Sequence, residues 1–318
     1  MAGPTEAELF TLGATTIQKI HELDLNGFTL AQLLPAVDEH LPQRHPDWLP
    51  TGTIEKDHAL LSVHSWLVRH EGKVILIDAG AGNDKARPQQ PVLDHLSNPF
   101  LDRLADAGIT PEMVDYVIHT HIHSDHVGWN TRLADGKWRP TFPNATTICS
   151  RLEWDYGAAL ADGNEKGIAE AREQAGFGDP IRIPVSGTFN DSMRPLLATG
   201  RVRLVDVSKK EELLPGIRFL PTPGHSIDHA AIELIVDGRT AIFGGDVAHH
   251  PLELYDSGLV SIFCEFPEAA RRSRRALLER AAERTALYFS AHFPLSSAGR
   301  VSKKNGDYAW AFLEEGDS

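Results

Sequence analysis

The sequence has no long apolar run and no basic, apolar leader at its N-terminus. A membrane-spanning helix needs roughly 20 consecutive apolar residues, and no segment approaches that length. The opening stretch MAGPTEAELFTLGATT contains acidic groups and lacks the basic and then apolar segments that mark a secretory signal. We therefore expect a cytoplasmic protein that does not insert into membranes.

Positive charge and cysteine are also scarce. The formal net charge is −13, and such a surface repels nucleic-acid phosphates and anionic lipids, so we expect a small-molecule partner rather than a polyanion. The two cysteines, Cys149 and Cys264, lie far apart and lack the spacing of a metal-binding knuckle. In a reducing compartment we expect both to be buried free thiols.

The chain has enough residues and apolar content for a large core. Its 318 residues are 42% hydrophobic and 24% charged, which is ordinary for a globular protein and fits one large α/β domain or two smaller ones. Residues 1–58 become rich in proline and loop-forming residues toward their end, which predicts an N-terminal arm or flap. Residues 59–318 then form the main part of what we expect to be a single domain.

Strands and helices alternate along this main part. A hairpin is predicted from residues 60–69 and 74–80, joined by a short polar turn. Further strands are predicted at 114–120, 145–150, 201–207, 216–222, 229–236, 239–246 and 287–292. Helices are predicted at 98–108, 151–176 and 267–286. Strands separated by helices, with hairpins among them, favour two mixed sheets between layers of helices.

Histidine is the unusual residue, with sixteen in the chain. The segment His121-Ile122-His123-Ser124-Asp125-His126 directly follows a predicted strand. Alternate residues at a strand end point the same way, so His121 and His123 can hold one metal ion. If a helix begins at Ser124, Asp125 and His126 point toward a second position nearby. Imidazole and carboxylate ligands suit zinc, and also manganese, iron and cobalt.

Three more ligand-type residues lie at the ends of other predicted strands. His225 belongs to the turn Thr-Pro-Gly-His-Ser that closes one strand, Asp246 ends the run AIFGGD, and His292 ends LYFSAH. Any one of them alone would favour a structural role. Together they predict that one edge of the sheets gathers all seven residues around metal ions.

The order of these motifs resembles the metallo-β-lactamase superfamily. The match consists of His-x-His-x-Asp-His at 121–126, Pro-Gly-His at 223–225, Gly-Asp at 245–246, a late His292, and the early strand end Ile-Asp-Ala-Gly at 77–80. The resemblance covers roughly residues 60–292 and implies an αββα sandwich of two mixed sheets flanked by helices, with 59–318 as the catalytic domain.

The resemblance also implies two divalent transition-metal ions per chain, with zinc as the expected metal. It assigns one ion to His121, His123 and His225, the other to Asp125, His126 and His292, and the bridging position to Asp246. It implies a hydrolase in which a hydroxide shared by the two ions attacks the substrate. Asp246 holds the pair, and Asp125 can pass a proton to the leaving group.

Within the superfamily the motifs are most similar to the lactonase and methyl-parathion-hydrolase group, which implies a small ester or lactone as substrate. Three alternatives stay open: a phosphotriesterase, a thioesterase similar to glyoxalase II, and a mononuclear-iron sulfur dioxygenase. A non-catalytic or nucleic-acid-binding descendant is disfavoured by the complete ligand set and the negative charge. Similar enzymes are often dimers, so a homodimer is possible.

Three further residues are expected beside the metals. Asp78 ends a buried strand, and a metal-binding histidine needs a group to orient its other ring nitrogen. Trp129 follows the histidine motif and is expected to narrow the pocket entrance, and His250, with His249, follows Asp246 and is expected in the pocket. His229 is expected to be structural. Aromatic residues that flank the motifs are either core or an apolar pocket wall: Trp129, Trp138, Phe142, Trp154, Phe263 and Phe266.

Overall fold

Two mixed seven-stranded sheets form the centre of the molecule. The computed structural model describes residues 9–38, 40 and 49–313. The first sheet contains, in spatial order, β1 (Leu9–Leu12), β2 (Thr15–Asp24), β5 (Ser62–His70), β6 (Lys73–Ile77), β7 (Tyr116–Ile118), β10 (Thr146–Ser150) and β11 (Val202–Val205). Strands β6, β7, β10 and β11 run parallel, and the other pairs are antiparallel.

The second sheet is antiparallel except at one pair. It contains, in spatial order, β12 (Glu212–Leu214), β13 (Ile217–Pro221), β14 (Ala230–Val236), β15 (Arg239–Phe243), β16 (Leu287–Phe289), β17 (Ala298–Lys304) and β18 (Asp307–Phe312). The parallel pair is β15 with β16. Two small ribbons complete the strands: β3 (Ile54–Glu55) with β4 (His58–Ala59), and β8 (Thr131–Ala134) with β9 (Lys137–Pro140).

Seven α-helices accompany the sheets in the part of the chain that the structure describes. They are α1 (Leu30–Leu33), α2 (Phe100–Asp106), α3 (Ser124–Val127), α4 (Arg151–Asp162), α5 (Glu165–Ala175), α6 (Leu252–Tyr255) and α7 (Pro267–Glu283). Among the described residues, no helix combines the length and the apolar character that crossing a membrane requires.

The main core lies between the two sheets. Ile75 and Ile77 of β6 alternate toward the second sheet, and Ile232, Phe243 and Phe289 of that sheet belong to the same buried cluster. Each fully buried side chain of this size stabilises the fold by about 1.5–3 kcal/mol relative to exposure. The period of two along the strands therefore gives each sheet one face toward its partner.

Helices cover the outer faces. Helix α2 places Phe100 and Leu104 against Leu76 and Val117 on the outside of the first sheet. Helix α7 packs through an apolar stripe on the outside of the second sheet, in a cluster that contains Leu277, Leu278, Ala281, Ile242 and Tyr288. The layers run helix, sheet, sheet, helix, and the predicted αββα sandwich is confirmed.

The N-terminal region differs from the predicted arm. Strand β2 pairs with β5 from Thr16 opposite Arg69 to Asp24 opposite Ser62, so residues 9–24 are strands of the first sheet. The proline-rich part of the predicted arm, residues 41–48, lies outside the described residues. The boundary proposed at residue 59 stays a prediction.

The helical sequence predicted at 151–176 forms two helices, α4 and α5. The Ser150 side chain accepts a hydrogen bond from the Glu153 N–H and caps α4. Gly163, with φ of +62°, ends that helix in the left-handed conformation, and Asn164 then caps α5. A glycine at this position terminates helices because it adopts positive φ without steric cost.

Candidate metal centre

The seven predicted ligand residues lie together at one edge of the sandwich. His121 and His123 lie in the connection from β7 to α3, and Asp125 and His126 lie within α3. The other three follow strands of the second sheet: His225 follows β13, Asp246 follows β15, and His292 follows β16. Strand ends in both sheets thus bring residues separated by up to 171 positions into one cluster.

One group of three imidazoles converges on a common point. Nε2 of His225 lies 3.1 Å from Nε2 of His121 and 2.8 Å from Nδ1 of His123. His121 and His225 are almost fully buried, and His123 is partly exposed. Their nitrogens are close enough together to ligate a single ion.

A second group lies beside the first. Nε2 of His126 is 3.3 Å from Nε2 of His292. Oδ2 of Asp125 lies 3.8 Å from the first of these nitrogens and 3.7 Å from the second. These three atoms also fit around one ion.

Asp246 lies between the two groups. Its Oδ2 is 3.1 Å from Nε2 of both His225 and His292, and its Oδ1 is 3.1 Å from Nε2 of His126. Burial opposes ionisation of Asp246, but the imidazoles of His126, His292 and His225 outweigh it and hold the pKa of the carboxyl well below its usual range. Oδ1 is buried and makes no hydrogen bond within the described residues. A buried carboxylate oxygen without a donor fits a cation in this position.

The second ring nitrogens of four of these histidines have partners. The pairs are Nδ1 of His121 with Oγ1 of Thr120 at 3.0 Å, Nε2 of His123 with Oε1 of Glu265 at 3.0 Å, Nδ1 of His126 with Oδ2 of Asp78 at 2.9 Å, and Nδ1 of His292 with the carbonyl oxygen of Ser62 at 3.0 Å. Such partners accept the N–H proton and fix the tautomer. The lone pairs of the other nitrogens then face the common centre, as ligation requires.

Asp78 organises the start of the histidine motif. Its carboxylate accepts hydrogen bonds from the backbone N–H and the hydroxyl of Thr120, at 2.9 and 2.8 Å, and contacts His126. Burial raises the pKa of this carboxyl, but the His126 and His119 imidazoles lower it well below its usual range. Asp78 therefore lies beside His126, one of the histidines expected from the sequence to bind metal.

His229 fixes the backbone at Asp246 through a hydrogen bond. Nε2 of His229 accepts a hydrogen bond from the backbone N–H of Asp246 at 3.0 Å, and its Nδ1 lies 2.9 Å from the Thr222 hydroxyl. Gly245 has φ of +52°, and a Cβ there would collide with the His229 ring. The Gly-Asp motif therefore has a steric cause, because only glycine lets the chain turn this close to His229. His229 has the structural position expected from the sequence.

A cavity of about 440 Å³ opens onto the cluster. The cluster side is formed by His123, Asp125, His225, Asp246, His249 and His292. The opposite walls are mainly apolar and include Leu25, Phe28, Leu61, Pro91, Val92, Leu93, Ile183, Val185, Ile262 and Phe263. A polar floor with apolar walls suits a small molecule that has one reacting polar group.

The expectation that Trp129 narrows the entrance is wrong. Trp129 is 4% exposed and lies in the core beneath α2, where its ring stacks on Phe100 with centroids 5.2 Å apart. Its indole N–H donates to Oε1 of Glu22 at 2.8 Å. Trp129, three residues after the motif, turns inward because α3 ends at Val127 and a 3₁₀ turn follows. Of the six aromatic residues that flank the motifs, Phe263 is the one that lines the described cavity.

The placement of His250 in the pocket is also wrong, and its neighbour His249 lies there instead. His250 points away, with Nε2 contacting the Thr53 carbonyl oxygen at 2.9 Å. His249 lines the cavity with Nε2 3.3 Å from Oδ2 of Asp246. Its two ring nitrogens are buried and make no hydrogen bond within residues 9–38, 40 and 49–313. Ala248 is extended, so consecutive side chains leave the chain on opposite sides.

No local pattern predicted the role of Glu265, which contacts His123 from 142 positions further along the chain. Glu265 precedes α7 in an apolar stretch, where a single acid resembles an ordinary helix start. Glu265 is buried in the structure, with 1% of its surface exposed. This burial arises from the packing of the second sheet and α7 around the histidines, which no local sequence pattern reveals.

The fold and this cluster define a class of proteins. The metallo-beta-lactamase superfamily matches residues 59–292, so the chain belongs to that superfamily. Divalent metal ions are usual in this superfamily. The family match covers all seven clustered residues.

Curated relatives are N-acyl homoserine lactonases. The chain is 32% identical over 107 residues to the lactonase AttM of Rhizobium radiobacter, a match that covers 30% of this chain and 37% of that one. AttM of Agrobacterium fabrum (strain C58) is 31% identical over the same coverage. The match thus spans little more than a third of the length of these relatives.

Solved structures share the fold over nearly the whole chain. The hydrolase AbOPH of the beta-lactamase superfamily has a TM-score of 0.76 at 20% identity and covers 99% of this chain and 100% of its own. AidC, a dizinc quorum-quenching lactonase solved with a product, has a TM-score of 0.74 at 19% identity and 97% coverage of both chains. At these identities the similarity establishes the fold.

Proposed function

We propose that the chain hydrolyses a small ester or lactone at a pair of divalent transition-metal ions, with zinc as the expected metal. The observation that carries this proposal is the convergence of seven histidine and aspartate side chains, in groups that could each hold a metal ion, at the floor of an apolar cavity. One ion would be held by His121, His123 and His225 and the other by Asp125, His126 and His292, and the carboxylate of Asp246, which lies between the two groups, would serve both. When bound, two such ions lower the pKa of water toward neutrality and polarise a carbonyl oxygen.

The protein's own residues supply orientation and proton transfer. Glu265 and Asp78 fix the tautomers of His123 and His126, so that these rings present lone pairs to the site. Asp125 is partly exposed to the cavity, and its carboxyl group can carry a proton to the departing alkoxide. His249 presents buried ring nitrogens without a hydrogen-bond partner in the described residues, and a ring N–H there can donate to a substrate oxygen.

An acyl substrate is favoured over a phosphotriester by the relatives. AttM is named an N-acyl homoserine lactonase, and AidC was solved with N-hexanoyl-L-homoserine. The apolar walls of the cavity suit an acyl chain whose carbonyl reaches the metal cluster. Trp129 lies in the core and does not contribute to this preference.

A side-by-side assay tests this proposal. We expect lactones and aryl esters, including N-hexanoyl-homoserine lactone, γ-decalactone and phenyl acetate, to show higher kcat/KM than the phosphotriester paraoxon. Asp246→Asn should abolish turnover of every substrate while the far-UV circular dichroism is retained. The control Asp102→Asn, on the exposed face of α2, should keep full activity. A ranking that puts paraoxon above all lactones and esters would contradict the proposal.

A further inference from the structure

One cationic side chain lines the described cavity. Arg182 lies in a wall that is otherwise mainly apolar, and the carboxylates of the cavity, Asp125 and Asp246, belong to the metal cluster. A half-buried guanidinium in such surroundings loses part of its hydration, so its donors favour an anionic partner.

Arg182 has no such partner among the residues that the structure describes. Its Nη1 donates to the Ile262 carbonyl oxygen at 2.9 Å, and its guanidinium lies 5.4 Å from the ring centroid of Phe263. Among residues 9–38, 40 and 49–313, no carboxylate lies within ion-pair distance of it. These two contacts hold the side chain against the wall, and the hydrogen-bond donors of the guanidinium beyond Nη1 have no hydrogen-bond partner among the described residues.

Other buried arginines of this protein do have carboxylate partners. Arg87 forms a bidentate pair with Asp191, at 2.6 and 2.8 Å, and Arg274 contacts Glu253 at 2.8 Å. Both pairs lie in the packed interior, and the second joins α7 to α6. Arg182 differs from them because it lines the cavity and has no carboxylate partner among the described residues, and this combination favours a ligand-binding role.

The position of Arg182 relative to the metal cluster limits what it can bind. The Phe263 ring lies 5.4 Å from the guanidinium of Arg182 and 5.5 Å from the ring of His249, and His249 lies 3.3 Å from Asp246. One aromatic ring therefore separates the cation from the floor of the cavity. A molecule that reacts at the floor reaches Arg182 only through its far end, after passing over Phe263.

We propose that Arg182 binds a carboxylate at the end of the acyl chain remote from the hydrolysed bond. This inference rests on the proposed ester or lactone hydrolysis and makes the substrate class more specific: esters or lactones whose acyl chain carries a free carboxylate. The planar guanidinium offers parallel N–H donors that match a carboxylate. The apolar walls hold the chain between the two polar ends.

Matched ester substrates test the charge directly. The pair is 4-nitrophenyl hexanoate and mono-4-nitrophenyl adipate, which differ by a terminal carboxylate. The wild-type holoenzyme should prefer the adipate ester in kcat/KM by about tenfold or more, because a charge-assisted hydrogen bond is worth that much. Arg182→Met should remove this preference mainly through KM and leave the hexanoate ester within about twofold, whereas Arg182→Lys should retain part of the preference.

The control is Arg194→Met. Arg194 also lies 5.4 Å from a phenylalanine ring, that of Phe189, but it pairs with Asp162 and lies outside the cavity. The Arg194→Met variant should have the same kcat and KM as wild type for both esters. If Arg182→Met lowers activity on both esters equally, Arg182 supports the wall through Ile262 and the carboxylate proposal is overturned.

A binding measurement separates this inference from the proposed function. Calorimetry with the holoenzyme compares adipate with hexanoate, neither of which has a bond to hydrolyse. Adipate should bind about tenfold more tightly than hexanoate to wild type and equally tightly to Arg182→Met. If adipate binds more tightly but no ester is hydrolysed, the proposed function is overturned and the role of Arg182 stands. Equal binding of the two acids to wild type would overturn the role of Arg182.

Discussion

At the scale of single residues, the candidate site depends on groups that orient the clustered histidines and are not themselves proposed as metal ligands. Each of four histidines has one ring nitrogen held by an oxygen, and each holding group belongs to a different segment of the chain. Removing such a group frees the ring to rotate or to change tautomer, which weakens ligation without removing a ligand.

Glu265 provides the sharpest residue-scale prediction. Glu265→Gln keeps the size of the side chain but replaces a charged acceptor with a neutral amide beside His123. We expect affinity for one metal ion to fall by about 10–100-fold, as measured by competition with a chromophoric chelator. Glu268→Gln, an exposed position in the first turn of α7, is the control and should not change the affinity.

The opposite result would be equal metal affinity in wild type and Glu265→Gln. His123 would then need no orienting group, and the role assigned to Glu265 would be withdrawn while the ligand set remained.

Sequence motifs predicted the seven clustered residues because each lies in a short local pattern at a strand end. The supporting residues were only partly predictable. Asp78 could be proposed because it ends a predicted buried strand. Glu265 could not, because it lies in a distant segment without such a signal. His249 and His250 could not be separated, because their directions depend on the extended backbone at Ala248.

At the scale of elements, the approach of the loop after β6 to α3 sets the geometry of the histidine motif. The backbone N–H groups of Gly128 and Trp129 donate to the carbonyl oxygens of Gly80 and Ala79, both at 2.7 Å. A Cβ on Gly128 would collide with the carbonyl group of Ala81. The glycine thus permits a backbone contact that fixes α3, and with it Asp125 and His126.

We expect Gly128→Ala to displace α3 or the facing loop. The free energy of unfolding should fall by about 1–3 kcal/mol or more, as for other overpacked sites, and metal affinity should fall with it. Urea unfolding and chelator competition measure the two effects. Gly27→Ala is the control for stability, since a Cβ there meets no atom within 4 Å. A Gly128→Ala protein with wild-type stability and affinity would show that the contact is dispensable.

Elements with strong local signals were predictable, and those that depend on distant pairing were less so. The hairpin of β5 and β6 has alternating apolar residues and a Glu71-Gly72 turn. Strands β17 and β18 flank an Asn305-Gly306 turn, which favours a hairpin, but no strand was predicted there. Strand β2 was assigned to an arm because its place in the sheet comes from pairing with β5, more than 35 positions away along the chain.

At the scale of the whole molecule, the sandwich and the metal cluster are energetically separable. The core between the sheets consists of apolar residues of both sheets, and the cluster lies at one edge, where strands end. We therefore expect the fold to survive loss of the ions, since a core of this size does not depend on them. Activity should depend on them entirely.

The most direct test of the central claim, a two-ion hydrolytic centre, is a metal titration of the chelator-treated wild-type chain. Inductively coupled plasma mass spectrometry should give two tightly held transition-metal ions per chain, and lactone hydrolysis should reach its maximum only as the second ion binds. Asp246→Ala should hold at most one ion and have almost no activity, with its circular dichroism unchanged. A wild-type chain that saturates with a single iron ion and consumes oxygen with a sulfur substrate would contradict the account.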